Sequence, residues 1–342
     1  MNFDRKPRFI KADAAGFTLI ELLISVTLML IVTFAVISIY VPTRSTAKVQ
    51  TGVARMNENW QTASENIARE FRELSFMGCL PLGNRTAGDD PDKDSNIKHD
   101  QIRSPRGYSA NRVNSLTVLK QVGSSDPSAP TNAIAGQPII VVNHAANKGA
   151  HLLSTMVDRG DSGIRFKTDP GIKMDIAGFL AVISDCKTGE IFKVGGSTTP
   201  LSSANNWRIT PFSQLRAAYD IDSRVALLST TQFYLAPANR ATDERSSTAL
   251  YRRTLGADGV TWGTPYQIAR DVTSMQVTAA VDTNGDYVPD AANLPWDSTL
   301  NTERVVAVNL TLGLTGPPDT KANGAALTRS FTAYITARSR AL

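Results

Sequence analysis

The feature that most limits the fold of this chain is a long apolar run near its N-terminus. The run extends from Phe17 to Val41, 25 residues in all, and Glu21 is the only charged residue in it. A helix rises about 1.5 Å per residue, so roughly 20 residues cross the ~30 Å hydrocarbon core of a bilayer. We therefore predict a transmembrane helix over residues 17–41.

Basic residues stand before this run and predict its orientation. The first 16 residues contain four Lys and Arg, whereas the flank that follows Pro42 is less basic. Lys and Arg beside a membrane span favour the cytoplasmic side. Residues 1–16 are thus expected to stay in the cytoplasm and the part after Pro42 to be exported. An ordinary secretory signal has an apolar stretch of only about 7–15 residues and fits this run poorly.

Glu21 requires an explanation of its own. An acid inside hydrocarbon costs about 2.5–3.5 kcal/mol on insertion scales, so it needs a partner or a place at a helix end. Thr18 and Glu21 have the spacing of a capping box, and a carboxylate in the first turn favours the positive end of the helix. Capping alone accounts neither for the preceding Gly16 nor for the basic leader.

The segment Gly16-Phe17-Thr18-Leu19-Ile20-Glu21, after a basic leader and at the start of a membrane-length run, resembles the processing site of type IV prepilins and of type II secretion pseudopilins. The resemblance implies that a prepilin peptidase cuts between Gly16 and Phe17 and methylates the new Phe17 amine. It also implies that Glu21 of one subunit neutralises that amine on a neighbouring subunit during assembly. Residues 1–16 would then be a prepilin leader peptide.

A helical pattern resumes after Pro42. Apolar residues recur three or four positions apart and define one face of an amphipathic helix. These residues are Val49, Val53, Met56, Trp60, Ala63, Ile67, Phe71 and Leu74. We predict one helix over residues 17–77, whose second half packs against a sheet. A coiled-coil stalk is the alternative.

The remainder of the chain has the pattern of a β-rich head. Residues 81–112 are polar and turn-rich and predict a surface loop, and Gly195–Asn206 and Thr315–Gly324 are expected to be linkers. Nine segments have strand-like composition: Ser115–Val122, Pro138–Val142, Phe179–Ser184, Ile191–Val194, Gln232–Ala236, Ala249–Arg253, Ser274–Val281, Val305–Leu314 and Ser330–Ala337. The expected class is α+β and pilin-like, with a long N-terminal helix packed on a mainly antiparallel head over residues 78–342.

The order of several head segments resembles that of the PilW-type minor pilins over nearly the whole mature chain. The segments are residues 72–79 (RELSFMGC), 184–186 (SDC), 250–253 (LYRR), an acidic loop before Trp296, 304–308 (RVVAV) and the closing stretch 329–338. The J-type minor pseudopilins of type II secretion are expected to share this fold.

The chain has two cysteines, Cys79 and Cys186, and both match positions in the PilW-type pattern. Export to the oxidising periplasm would allow them to form a disulfide. Two buried free thiols, which behave as small apolar groups, are the alternative.

An acidic segment near the C-terminus is a candidate cation site. It places side-chain oxygens at positions 1, 3, 5 and 9 of an EF-type calcium loop, at Asp282, Asn284, Asp286 and Asp290. Tyr287 stands where that loop has glycine, and Asn293 replaces its bidentate glutamate. The pair Asn284-Gly285 equally favours a solvated hairpin turn. Bound Ca²⁺ and a simple turn therefore both remain open.

Sequence patterns for catalysis and for nucleic-acid binding are weak. The chain has three histidines and lacks an HExxH motif, a phosphate loop and zinc-type cysteine pairs. Residues 160–163 (GDSG) are similar to a serine-protease nucleophile loop, but Ile164 follows where glycine is needed and His144 and His151 lie too near in sequence. The net charge is only +5, without a basic cluster interleaved with aromatic residues. We expect no enzyme activity, no nucleic-acid partner and no cofactor other than Ca²⁺.

The resemblance as a whole implies a minor pilin that takes part in priming type IV pilus assembly, in a complex of minor pilins at the tip. The partners that it implies are the prepilin peptidase, other minor pilins, the major pilin, the inner-membrane assembly platform and the membrane itself. The implied location is the inner membrane with the head in the periplasm, and later the pilus. A J-type minor pseudopilin and a membrane-anchored periplasmic protein that never assembles are the alternatives.

Overall fold

The computed structural model describes residues 18–74, 101–103, 112–114, 116–119, 130–146, 150–156, 158, 163–168, 178–185, 189–201, 205–212, 214–215, 217–238, 248–256, 261–284, 286, 288–296, 300, 305–317, 320–322 and 324–336.

The chain begins, within the described part, with one long helix, α1, over Leu19–Arg72. Thr18 caps it, because the Thr18 hydroxyl accepts a hydrogen bond from the Glu21 N–H at 3.3 Å. Pro42 lies inside the helix and has no N–H to donate to the preceding turn. The helix ends at Arg72 in a turn in which the Leu74 N–H donates to the Phe71 carbonyl. The predicted helix over residues 17–77 is too long at its C-terminal end, because Glu73 and Leu74 already form a turn; residues 17 and 75–77 lie outside the described part of the chain.

The chain consists of two compact units, Met1–Thr51 and Gly52–Leu342. In the first unit, large apolar side chains are exposed on every side of α1 from Leu19 to Val41. A helix that is apolar on all sides is typical of a membrane span or of a protein core. Within the described residues, α1 is the one helix long and apolar enough to cross a membrane.

In the second unit, the remaining part of α1 is amphipathic. Its buried apolar residues are Met56, Ala63, Ile67 and Phe71, with Val53 and Trp60 partly buried beside them, and Leu74 in the turn after the helix is buried as well. They share one core with strand residues of the head, which confirms the predicted face and its packing against a sheet.

The head contains 18 described strands. They are β1 Gln101–Arg103, β2 Arg112–Asn114, β3 Leu116–Leu119, β4 Ile139–Ala145, β5 Ala150–Leu152, β6 Ile164–Lys167, β7 Leu180–Ser184, β8 Gly189–Pro200, β9 Asn206–Pro211, β10 Arg224–Pro237, β11 Thr248–Thr254, β12 Tyr266–Arg270, β13 Val272–Val281, β14 Ala291–Pro295, β15 Val305–Thr315, β16 Lys321–Ala322, β17 Ala325–Ala326 and β18 Thr328–Thr336.

The largest sheet has 12 strands, and β10 is its longest member. The first part of β10 pairs with β5 and β7, and its second part pairs with β4 and β11. In the described part of the chain, every strand pair is antiparallel except β1 with β8. The strand β10 therefore connects two cores, one beneath α1 and one formed around Phe166, Phe192 and Ile209.

A second, four-stranded sheet has the order β14-β13-β15-β18 and is antiparallel throughout. Its buried residues, among them Met275, Leu310 and Leu312, join the same core as the apolar face of α1. The second part of α1 thus packs against residues from both sheets. The α+β class with a mainly antiparallel head is confirmed.

All nine predicted strand segments overlap observed strands, whereas all three predicted irregular stretches contain strand residues. The predicted loop 81–112 contains β1, the predicted linker Gly195–Asn206 contains the second half of β8, and the predicted linker Thr315–Gly324 contains β16. The register of β8 shifts between Gly195 and Thr199, and Gly196 has a φ of 57° there. Glycine adopts this left-handed conformation without the steric cost of a Cβ, and glycine at such a bulge is also typical of a linker sequence.

Candidate functional site

The Glu21 side chain is exposed in the first turn of α1. Its backbone N–H is held by Thr18, so the helix start is capped by Thr18 and does not depend on the Glu21 carboxylate. No group in the described part of the chain donates a hydrogen bond to that carboxylate. The capping explanation thus accounts for the Thr18 hydroxyl and leaves the charge of Glu21 unexplained.

The hydroxyl groups of the apolar segment behave differently, because each donates to a carbonyl of the preceding turn. Such bonds satisfy a hydroxyl within its own helix, as hydrocarbon surroundings require. The pairs are Ser25 to Glu21 at 2.7 Å, Thr27 to Ile24 at 2.9 Å, Thr33 to Met29 at 2.7 Å and Ser38 to Phe34 at 2.7 Å. Within residues 18–38 of the described helix, Glu21 is therefore the polar side chain that lacks an internal partner.

The other residues of the predicted processing site lie outside the described part of the chain. These are Gly16, Phe17 and the rest of the leader, residues 1–16. Cys79 and Cys186, the predicted disulfide partners, also lie outside it. The cleavage, methylation and disulfide assignments stay predictions from the sequence.

The acidic segment forms the loop between β13 and β14 and brings its predicted ligands together through hydrogen bonds. Asp290 Oδ2 accepts from the Thr283 N–H at 2.6 Å, the Asn284 N–H at 3.2 Å and the Thr283 hydroxyl. Asp282 Oδ1 accepts from the Asn284 N–H at 3.0 Å. Asp286 Oδ1 accepts from the backbone N–H two positions later at 2.8 Å. These bonds lower the pKa of Asp290, the Thr283 hydroxyl having the largest effect.

Asn293, at the twelfth loop position, is engaged elsewhere. Its Oδ1 accepts a hydrogen bond of 2.7 Å from Asn309 Nδ2 on β15. Across the described residues, no three His, Cys, Asp or Glu side chains are grouped so that they could hold a metal ion. β13 and β14 pair as an antiparallel hairpin around this segment, whereas Gly285 of the predicted Asn284-Gly285 turn lies outside the described residues.

A buried group of charged residues, not predicted from the sequence, lies where α1 meets the large sheet. Glu70 comes from the last turn of α1, Glu73 from the turn that follows it, His144 from β4 and Arg252 from β11. We call these four residues the charge cluster. Glu70 Oε1 is 2.6 Å from Arg252 Nη2, and Glu70 Oε2 is 3.1 Å from His144 Nε2. The side chains of Glu70 and His144 are each 6% exposed.

His144 also contacts two acceptors at its second ring nitrogen. Nδ1 is 3.0 Å from the Ala145 carbonyl and 3.4 Å from Glu73 Oε2. Burial alone would lower the pKa of His144, but the hydrogen bond to Glu70 and the other oxygens raise it above its ordinary value. Burial would likewise raise the pKa of Glu70, and the bond to His144 and the charge of Arg252 lower it overall.

One signal in the sequence pointed to Glu70. It lies three residues after Ile67 and four before Leu74, on the face of α1 that is otherwise apolar. An acid on a buried helix face is almost always paired. The sequence could therefore have shown that Glu70 has a partner, though not that the partners are His144 and Arg252.

Comparison with family models matches residues 11–37 to the prokaryotic N-terminal methylation motif. The matched segment contains Gly16, Phe17 and Glu21 and does not reach the head. Comparisons with curated proteins and with solved structures found no match. The motif supports a pilin-like or pseudopilin-like protein, and it implies processing by a prepilin peptidase and assembly with components of a pilus or secretion machinery.

Proposed function

We propose that this chain is a minor pilin that takes part in priming type IV pilus assembly, within a complex of minor pilins. The inner membrane holds it through residues 17–41, and the head, residues 78–342, lies in the periplasm until the subunit enters the filament. The methylation motif supports the pilin-like class. The narrower assignment rests on the order of head segments that resembles the PilW-type minor pilins.

The observation that carries the proposal is the state of Glu21. The neighbouring hydroxyls on the same apolar helix are bonded internally, while the Glu21 carboxylate is exposed and lacks a donor in the described chain. An unpaired acid in hydrocarbon is costly, so the Glu21 carboxylate needs a cationic partner that the described part of the chain does not supply. Cleavage after Gly16 would create such a cation, the Phe17 amine of a neighbouring subunit.

The first experiment identifies the N-terminus by mass spectrometry of protein purified from membranes of cells that do or do not contain the prepilin peptidase. We expect N-methyl-Phe17 in the first case and the intact leader in the second. A chain that starts at Met1 in cells with an active peptidase would contradict the proposal and support a permanent anchor.

The second experiment tests the docking charge with Glu21→Gln, which keeps the shape of the side chain and removes its charge. We expect normal processing but loss of incorporation into sheared pili. Glu58→Gln is the matched control, because Glu58 is an exposed acid of the same helix outside the apolar run. Equal incorporation of both variants would argue against the pairing.

A deletion strain separates the two machineries. Loss of surface pili or twitching with normal export of secreted proteins supports the minor pilin. Normal pili with failed export would instead support a J-type pseudopilin, whose N-terminal chemistry would be the same.

We also propose that Cys79 and Cys186 form a disulfide in the exported head, closing a long loop between the end of α1 and β7. Peptide mapping of unreduced, alkylated protein is expected to yield one linked peptide pair. Alkylation of both thiols before reduction would count against it.

A further inference from the structure

We propose that the charge cluster is a proton-dependent tie: protonated His144 fastens the last turn of α1 to β4 and β11, and loss of its proton loosens that turn. The inference concerns the head alone and does not depend on which machine the chain serves.

The geometry around the imidazole ring requires two protons. Nε2 faces a carboxylate oxygen of Glu70 at 3.1 Å, and Nδ1 faces the Ala145 carbonyl at 3.0 Å and Glu73 Oε2 at 3.4 Å. All of these atoms are acceptors. A neutral imidazole has one N–H and one lone pair, so one ring nitrogen would then point a lone pair at an oxygen. Only the imidazolium form donates on both sides.

Two cations hold Glu70 while His144 is protonated. Glu70 in the last turn of α1 contacts His144 from β4 and Arg252 from β11, and Glu73, in the turn after α1, also contacts His144. From β10, the described group that affects Glu70 is the neutral hydroxyl of Thr231. Deprotonation of His144 takes one positive charge out of a buried place and removes one of the two cations that hold Glu70.

The direction of the pH effect follows from linkage. The folded chain raises the pKa of His144 above its unfolded value, which is about 6.5. The stability from this group is therefore fully present below about pH 6.5 and is lost as the pH rises through the folded pKa. Each unit by which the folded pKa of His144 exceeds its unfolded pKa changes the ratio of docked to undocked forms of the last turn of α1 by about tenfold.

When His144 loses its proton, only the last turns of α1 are expected to detach from the sheet. Met56 and Ala63 lie earlier on the buried face of α1 and contact apolar residues of the core, with no titrating partner among the described contacts. Ile67, Phe71 and Leu74 flank Glu70 in the last turns and depend on the same docking. Residues 67–74 should therefore open before residues 53–63 do.

The direct test is a titration of the full-length chain in detergent, selectively labelled with ¹⁵N-histidine. The chain has only three histidines, so comparison with His144→Gln assigns the signal.

We expect the His144 midpoint to lie above about 6.5, the ordinary value. Glu73→Gln, which removes one half-exposed carboxylate, should fold and lower this midpoint, whereas Glu58→Gln should leave it unchanged. A wild-type midpoint at or below 6.5, or an unshifted one in Glu73→Gln, would overturn the proposal.

The second test measures hydrogen exchange of peptides from α1 between pH 6 and pH 9, corrected for intrinsic exchange rates. Protection of residues 67–74 should fall by up to about tenfold per unit of pH between about pH 6.5 and the His144 midpoint, and should level off above that midpoint, relative to residues 53–63 of the same sample. The change should be absent in His144→Gln and retained in His151→Gln, a matched variant of an exposed histidine on β5. Equal pH dependence in His144→Gln and wild type would refute the tie.

Discussion

Glu70 Oε1 lies 2.6 Å from Arg252 Nη2, although the two residues are 182 positions apart in the chain. The second oxygen of the same carboxylate contacts His144, so one side chain joins α1 to both β4 and β11. A carboxylate that has lost most of its water is tolerated only with such partners. The helix therefore attaches to the head by a polar link as well as by its apolar face.

Glu70→Gln should destabilise the head strongly. The change leaves Arg252 and His144 close together without the negative charge that lies between them. Breaking a buried pair in this way typically costs about 3–5 kcal/mol. The measurement is the free energy of unfolding of the full chain by urea. Glu58→Gln, an exposed acid of the same helix, should change it by less than about 0.5 kcal/mol. Similar losses in both variants would show that the cluster adds little.

Protonation of the Glu70 carboxylate should destabilise the head at low pH. Its folded pKa is lowered, because the bond to His144 and the charge of Arg252 outweigh the opposing effect of burial. Its contribution is then present above the unfolded value of about 4.3 and is lost as the pH falls through the folded pKa. The stability difference between wild type and Glu70→Gln should be constant from about pH 5 to pH 6 and shrink below pH 4.3. A difference that grows in acid would contradict this direction.

Much of the architecture could be predicted because it depends on local patterns. The spacing of Met56, Ala63 and Ile67 marks the buried face of α1, and the strand-like runs mark the longer strands. Short strands such as β5 and β6 were missed, since three or four residues hold a strand only through neighbours supplied by the fold. The charge cluster was missed for the same reason, because His144 is 74 positions from Glu70 and only the folded sheet brings them together.

Gly52→Ala should destabilise the chain even though alanine favours a helix over glycine by about 1 kcal/mol. A Cβ at Gly52 would lie 2.6 Å from Thr320 Cγ2, and Thr320 is buried. Overpacking of this kind costs about 1–3 kcal/mol.

Thr320→Ser, which removes that methyl group, should restore most of the loss when combined with Gly52→Ala. Thermal unfolding of the four proteins in this double-mutant cycle measures the coupling between the two residues. If the effects of Gly52→Ala and Thr320→Ser on stability are simply additive, the close approach to Thr320 is not the reason for glycine at position 52.

Asp290 should be the residue on which the β13–β14 hairpin loop depends most. Among the described contacts, its carboxylate accepts four hydrogen bonds from Thr283 and Asn284, whereas that of Asp286 accepts two. Asp290→Asn, which replaces an acceptor oxygen by a donor and removes the charge, should therefore lower the unfolding temperature more than Asp286→Asn. Because these hydrogen bonds lower the pKa of Asp290, their contribution to the stability of the loop is lost as the pH falls through that lowered pKa.

These bonds need no metal ion, so the ranking of the two variants should be the same with excess EDTA. The predicted calcium site is tested in the same samples by titration with CaCl₂. A rise in the unfolding temperature of wild type that Asp286→Asn abolishes would support bound calcium, because that carboxylate is the fifth-position ligand of the EF-type pattern. An unchanged temperature would support the solvated hairpin, in which Asn293 stays bonded to Asn309 across to β15.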